Sequence, residues 1–129
     1  MIQRVFLTTG AAVGADGVAT ATGYSPKAVY GKVLAVVIAY LGSPPAGTTD
    51  VTLSDESDPT SEAIVSIANA ATDVKIYPRR LLETNDGTDL TYDGTRKIYG
   101  HYPVAGKLEL TIAGANAADY IDAVVWVEG

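Results

Sequence analysis

The chain contains no cysteine and only one histidine, so two common catalytic and metal-binding side chains are almost absent. Without cysteine there is no disulfide, no thiolate ligand for zinc and no cysteine nucleophile. A hydrolytic triad needs a base between its nucleophile and its orienting group, so any triad here has to include His101. That residue lies in a loop segment, residues 99–103, with no nucleophile motif beside it. We therefore expect a protein that is not an enzyme, with a small hydrolase acting through His101 as an alternative.

Long apolar runs and positive charge are also scarce. The longest apolar run covers residues 33–41, which is less than half of a membrane-spanning helix. The apolar run after Met1 is too short for a signal peptide. We therefore expect a protein that is made and used without export or membrane insertion. The chain has 9 Lys and Arg against 15 Asp and Glu, a net charge of −6. This charge argues against nucleic acid as a partner, because phosphate binding depends on Lys and Arg.

Neither the acidic nor the glycine-rich segments match a ligand-binding motif. The acidic residues between positions 50 and 62 are the one place where calcium could bind. They lack the alternating acidic positions and the central glycine of an EF-hand loop. Residues 10–17 (GAAVGADG) lack the Gly-Lys-Ser/Thr ending of a phosphate-binding loop. The sequence therefore predicts no metal site, no cofactor and no small-molecule substrate.

Residues typical of β-strands are frequent, above all Val, Thr, Ile and Tyr, and no long segment repeats apolar residues at helical spacing. Some segments alternate between apolar and polar side chains, as half-buried strands do. The pattern predicts strands at residues 2–8, 18–22, 29–41, 49–54, 73–77, 107–112 and 120–128. Residues 63–67 fit either a strand or a short helix, because the residues before them resemble a helix N-terminus. Two Asp-Gly pairs, at 86–87 and 93–94, predict tight turns.

Short strands separated by turn signals about every ten residues predict an all-β fold, an antiparallel β-sandwich of jelly-roll-like type. Residues 33–40 are apolar on both faces, so this strand lies either between two layers or beneath a partner. We expect residues 1–28 to form an N-terminal strand and a flexible Ala/Gly-rich arm, and residues 29–129 to form the sandwich domain. The predicted core comprises Val33, Leu34, Val36, Ile38, Leu108, Leu110, Ile112, Ile121, Val125 and Val127.

Tyrosine is the dominant aromatic residue, with 8 Tyr against 1 Trp and 1 Phe. It combines a large apolar body with a hydrogen-bonding tip and is enriched at protein interfaces. No Lys or Arg occurs between Lys32 and Lys75, and the basic residues after this gap are close together, which favours docking on an acidic neighbour. The candidate interface residues are Lys75, Tyr77, Arg79, Arg80, Tyr99, Tyr102, Val124 and Trp126. The alternatives are an ordinary solvated surface for the charges and packing at the sandwich ends for the tyrosines.

Several strand and turn segments resemble a known class of proteins when their order and spacing are considered together. The segments are GKVLA at 31–35, TDVTL at 49–53, IYPR at 76–79, LTYDGT at 90–95 and PVAGKL at 103–108. From about residue 29 to the C-terminus they resemble small structural proteins of tailed bacteriophages, of the kind found among capsid and head genes. No catalytic residues are carried over from this resemblance.

The resemblance implies a jelly-roll-like cement or decoration protein that binds the outer capsid surface and stabilises the head. It implies a location on the virion after synthesis in the host cytoplasm. The implied partners are the major capsid protein and further copies of this chain, as a dimer or trimer. The alternative is a carbohydrate- or receptor-binding β-sandwich of a phage tail or particle surface. Sugar-binding platforms usually need several exposed aromatic rings, and Trp126 is the one tryptophan.

Overall fold

The computed structural model describes residues 1–129, and all of its regular secondary structure is β-strand. No helix that could cross a membrane is present. The strands are β1 (Ile2–Thr8), β2 (Ala19–Tyr24), β3 (Val29–Leu41), β4 (Asp50–Asp55), β5 (Ala63–Ile67), β6 (Val74–Ile76), β7 (Arg80–Leu81), β8 (Tyr99–Gly100), β9 (Pro103–Gly106), β10 (Leu108–Ala115) and β11 (Tyr120–Glu128).

Two antiparallel sheets, of five and four strands, pack face to face. In the first sheet the order is β1-β11-β3, and the long strand β3 pairs with β9 through residues 29–32 and with β6 through residues 36–38. In the second sheet the order is β2-β10-β4-β5, while β7 and β8 form a separate ribbon. Successive strands repeatedly change from one sheet to the other. The predicted fold class, an all-β antiparallel sandwich, is confirmed.

The core lies between the inner faces of the two sheets and follows from alternation along the strands. Every second residue of β11, and of β10 as far as Ile112, is buried, and the residues between them point outward. Burying a Leu, Ile or Val side chain stabilises a fold by about 1.5–3 kcal/mol. The predicted core residues that are buried are Val33, Val36, Ile38, Leu108, Leu110, Ile112, Ile121, Val125 and Val127.

Leu34 is not part of the core, so the prediction for this residue is wrong. Val33 lies opposite Val127, whereas Ala35 lies opposite Trp126, so β3 contains one residue more than β11 at this point. A bulge of this kind changes which side chains face inward along the strand. Inward positions therefore change from odd to even numbers along β3, and Leu34 is left half-buried.

Residues 1–28 are part of the sandwich, and residue 28 is not a domain boundary, contrary to the prediction of a separate arm. β1 pairs with β11 over its whole length, and β2 pairs with β10. Leu7, Ala12 and Ala19 are buried in the common core. Within the loop between β1 and β2, Ala12 is buried, and its N–H donates a hydrogen bond to the Asp119 carbonyl oxygen (2.7 Å), whereas the other Ala and Gly residues of the loop are exposed.

The structure settles one local feature that the sequence left open and contains two turns that the sequence predicted. Residues 63–67 form the edge strand β5 rather than a helix. The predicted turns at Asp86-Gly87 and Asp93-Gly94 are present, with positive φ angles of 89° and 81° at the two glycines. In both turns the Asp carboxylate accepts a hydrogen bond from the backbone N–H two residues later (3.1 and 2.9 Å), which is the usual Asx-turn geometry.

Candidate functional site

The outer face of the first sheet points away from the core, and no other strand packs against it. The strand register places its side chains in rows across the sheet. One row joins Arg4, Trp126 and Ala35. We call this surface the outer face. Its central rows contain Arg4, Phe6, Ala35, Val37, Lys75, Val124 and Trp126, and its flanking rows contain Thr8, Ala39, Asp122, Lys32 and Glu128.

The middle of the outer face is apolar. Phe6, Val124 and Val37 form a second row across three strands. Phe6 is 54% exposed, and Val37, Val124 and Trp126 are half-buried between their neighbours. A sheet face that meets water normally carries polar side chains. The outer face therefore departs from the pattern expected of a solvated sheet.

The second sheet follows the usual pattern. Two of its outward side chains, Thr22 and Thr111, place their hydroxyl oxygens 3.4 Å apart on neighbouring strands. The outward residues of this sheet are mainly polar, and they include Thr22, Asp50, Thr52, Ser54, Ser66, Glu109 and Thr111. The two sheets therefore differ in what they present, and the first sheet carries the continuous apolar surface.

Lys75, Tyr77 and Trp126, three of the predicted interface residues, meet on the outer face. The Lys75 Nζ atom lies 5.2 Å from the centroid of the Trp126 ring and 5.4 Å from that of Tyr77. A cation within about 6 Å of a ring centroid is attracted by the electron-rich ring face. Lys75 forms no salt bridge with a carboxylate, so its charge is available to an acidic partner.

The structure separates the two predicted arginines. Arg79 is exposed, and its Nη1 donates a hydrogen bond to the carbonyl oxygen of Leu34 at the bulge (3.3 Å). Arg80 turns instead toward Glu62 and Glu83, at N···O distances of 3.5 and 3.2 Å. Burial would lower the pKa of Arg80, but the two carboxylates keep it above its ordinary value. Arg80 is therefore paired within the chain, whereas Arg79 has no carboxylate partner.

Tyr99 and Tyr102 lie away from the outer face. Tyr99 is opposite Leu81 in the β7–β8 ribbon and is 59% exposed, whereas Tyr102 is half-buried and packs against the core. His101, through which any hydrolytic triad would pass, is half-buried between β8 and β9. The predicted interface residues that lie on or beside the outer face are Lys75, Tyr77, Arg79, Val124 and Trp126.

The acidic loop considered for calcium uses its carboxylates within the chain. Asp55 accepts hydrogen bonds from the N–H groups of Ser57 (2.9 Å) and Ala105 (2.8 Å), and Asp58 accepts one from Thr60 (2.9 Å). Burial would raise the pKa of Asp55, but its hydrogen bonds hold it below the ordinary value. Hydrogen bonds from Thr60 likewise lower the pKa of Asp58. No group of three or more His, Asp or Glu side chains is arranged to hold a metal ion.

Arg4, Phe6, Ala35 and Val37 belong to the outer face but were not identified from the sequence. The interpretation of residues 1–28 as a strand and arm named no side chain of β1 as a contact residue. Two features of the sequence pointed to this face. Arg4 and Phe6 alternate along β1 with residues that face the core, and residues 33–40 are apolar on both faces. Strand order, which brings β1 next to β11, was not readable from these patterns.

Comparisons with known proteins identify no family for this chain. No protein family matches it, and no curated protein matches it. Weakly similar solved structures include the K3 adhesin domain of Lys-gingipain from Porphyromonas gingivalis, at 10% identity and a TM-score of 0.41, over 94% of this chain and 73% of that one.

Two further structures are similar at the same low level. The structure of infectious bursal disease virus (Gx strain) has 12% identity and a TM-score of 0.38, over 100% of this chain and 32% of that one. A carbohydrate-binding module of Cellvibrio mixtus lichenase 5A has 11% identity and a TM-score of 0.34, over 99% of this chain and 87% of that one. Similarity at this level carries no information about function.

Proposed function

We propose that this protein is a structural, non-catalytic β-sandwich that binds neighbouring protein subunits through its outer face. The observation that carries the proposal is the difference between the two sheets: one has a mainly polar outward surface, and the other has an outward surface that is apolar in its middle. The inner face of the first sheet is already covered by the second sheet. The apolar side chains of the outer face therefore gain further burial from another molecule. Contiguous exposed apolar surface of this kind marks protein interfaces.

The first partner in this proposal is a second copy of the chain. β3 is apolar on both faces, as a strand beneath a partner is. Arg4 and Lys75 add positive charge to the outer face, and Asp122 adds negative charge in the row beyond Phe6 and Val124. Two copies that meet by this face can therefore pair opposite charges around an apolar middle.

In its finer form, the proposal is a homo-oligomeric capsid cement or decoration protein on the outer surface of a bacteriophage head. The resemblance of segments between residue 31 and residue 108 to small phage structural proteins supports this role. The major capsid protein is then the second partner, and Arg79, exposed beside the outer face, is available to it. Weak contacts repeated by symmetry would give strong total attachment, because each added contact is effectively intramolecular.

Val124→Glu and Thr111→Glu form a matched pair of variants for this proposal. Val124 lies on the central strand β11 of the first sheet, and Thr111 lies on β10 of the second; both point outward and are half-buried. Each substitution adds one negative charge to an outward surface without touching the core. In analytical ultracentrifugation we expect the wild type and T111E to sediment as oligomers and V124E to sediment as a monomer. We also expect V124E to lose co-sedimentation with capsids.

Circular dichroism first establishes that both variants are folded. Phe6→Ser, at the exposed margin of the outer face, serves as a second outer-face variant. A wild-type protein that stays monomeric at high concentration would remove the support for self-association. Equal oligomerisation of V124E and T111E would show that the outer face is not the contact.

A glycan array separates this proposal from the carbohydrate-binding alternative. Trp126 is half-buried beside Lys75 rather than presented on an open aromatic platform. A structural role predicts no glycan binding by the wild-type protein. Binding of an oligosaccharide that is lost in Trp126→Ala would favour the alternative.

A further inference from the structure

β1 is the edge strand of the first sheet, and one side of its backbone has no partner. Met1 exchanges two backbone hydrogen bonds with the last residue of the chain (3.1 and 3.2 Å), and the Thr9 N–H donates to β11 (3.0 Å). The register between these points is regular, so the odd-numbered residues of β1 face β11 with their N–H and C=O groups. Ile2, Arg4 and Phe6 therefore point their N–H and C=O groups away from the sheet.

A groove runs along this free edge, between residues 3–6 of β1 and residues 26–29 of the connection from β2 to β3. Half of the residues that line the groove are hydrophobic, and Val5 is one of them. Further along β1 the edge is closed, because the Thr8 carbonyl oxygen occupies the space where Gly23 of β2 would carry a side chain. The open part of the edge therefore has the length of one short strand.

The groove is locally positive in an acidic protein. Arg4 and Lys27 are its charged residues, and neither forms a salt bridge. No Asp or Glu lines it, whereas every other surface cavity of the molecule contains at least one. The groove is thus complementary in charge to an acidic ligand.

We propose that this groove, the β1 edge groove, binds an extended acidic segment of a partner protein as an additional strand of the first sheet. The backbone of Ile2, Arg4 and Phe6 supplies the main-chain hydrogen bonds, and the apolar lining accepts alternate side chains of the added strand. The side chains of Arg4 and Lys27 bind carboxylates of the segment. Edge strands are often protected by proline or by a bulge, and β1 has neither. The site goes beyond the proposed function, because it uses the backbone edge of β1 and Lys27, although it shares Arg4 and Phe6 with the outer face.

A pair of capped heptapeptides tests the proposal. The acidic probe is EVTVTVE, and the matched basic probe is KVTVTVK. In isothermal titration calorimetry we expect the acidic probe to bind and the basic probe not to bind. In hydrogen exchange followed by NMR, the acidic probe should slow exchange of the amides of Ile2, Arg4 and Phe6. The odd-numbered amides of β1, which already bond to β11, should change little.

Two N-methylated versions of the acidic probe test for an added hydrogen-bonded strand. Such a strand pairs through the N–H and C=O groups of every second peptide residue. Methylation of one alternate set of peptide N–H groups should abolish binding, and methylation of the other set should not. Arg4→Glu with Lys27→Glu should weaken binding of the acidic probe at least about tenfold, because two attractive charges become repulsive.

Several results would overturn the proposal. They are no binding of the acidic probe, equal affinity for the acidic and basic probes, equal effects of the two N-methylated probes, or unchanged exchange of the even-numbered amides. Val124→Glu distinguishes a failure of this proposal from a failure of the proposed function. This variant should bind the acidic probe as the wild type does, whether or not it still forms oligomers.

Discussion

Replacing Leu110 with alanine tests the packing of the two sheets. Leu110 is fully buried (0% exposed) in β10, between β2 and β4. Its neighbours across the two ladders are Gly23 and Leu53. The substitution removes three carbon atoms, which at about 0.8 kcal/mol for each buried methylene lowers the free energy of unfolding by about 2.4 kcal/mol. The cavity that remains adds to this loss.

The surroundings of Leu110 limit how far this cavity can collapse. Gly23 has no side chain that could move into the space, and the Thr8 carbonyl oxygen is already packed against it. Leu53 is itself fully buried and held by its own neighbours. We therefore expect a loss in the upper part of the usual range for such substitutions, about 3–5 kcal/mol. For a chain of this size, this corresponds to a decrease in Tm of about 10–20 °C.

Urea denaturation followed by far-UV circular dichroism measures the free energy of unfolding of both proteins. Thr111→Ala is the matched control, because Thr111 adjoins Leu110 but points outward. We expect this control to change stability by less than about 1 kcal/mol, as surface substitutions usually do. A loss below about 1.5 kcal/mol for Leu110→Ala, with an unchanged dependence on urea, would show that this part of the core relaxes into the cavity.

Two further predictions concern acid stability and backbone conformation. Hydrogen bonds lower the pKa of Asp86 and Asp93 in the folded protein. The stability that these two carboxylates contribute is therefore fully present above their unfolded-state pKa of about 3.9. It is lost as the pH falls through their lower folded-state pKa values. Urea denaturation at about pH 3 should therefore give a lower free energy of unfolding than at about pH 6, and equal values would contradict this. Gly31 has a φ of +138° and an added Cβ would meet the backbone at Glu128, whereas Gly94, with a φ of +81°, faces open space. Gly94→Ala should therefore lower the free energy of unfolding by about 1–2 kcal/mol, and Gly31→Ala should lower it by more. Equal decreases for the two variants in the same denaturation assay would contradict a clash at Gly31.

The strands that the sequence predicted best are those with strong local patterns. β1, β3 and β11 begin and end where the prediction placed them, because each is a long β-prone segment bounded by glycine, turn residues or a chain end. The short strands β7, β8 and β9 were not predicted. Two to four residues carry too little alternation to separate a strand from a loop.

The candidate site was predicted only in part, because local patterns show which face of a strand is buried but not which segments pack together. Val124 and Trp126 were identified because they lie on the face of β11 opposite its buried residues. Arg80 was grouped with Arg79 because the two are adjacent in sequence. Its pairing with Glu62 depends on how the β7–β8 ribbon packs, which charge spacing does not reveal.

The sequence alone defines the fold class and most of the core, because burying one face of each strand imposes an alternation that is visible residue by residue. It also showed that β3 is apolar on both faces, without showing what lies on either side. The three-dimensional structure was needed to establish strand order, the bulge at Leu34 and the placement of residues 1–28 within the sandwich. It brought Phe6, Val37 and Val124 into one row through pairing between segments far apart in the chain. Such pairing depends on the packing of the whole molecule, so no local pattern encodes it.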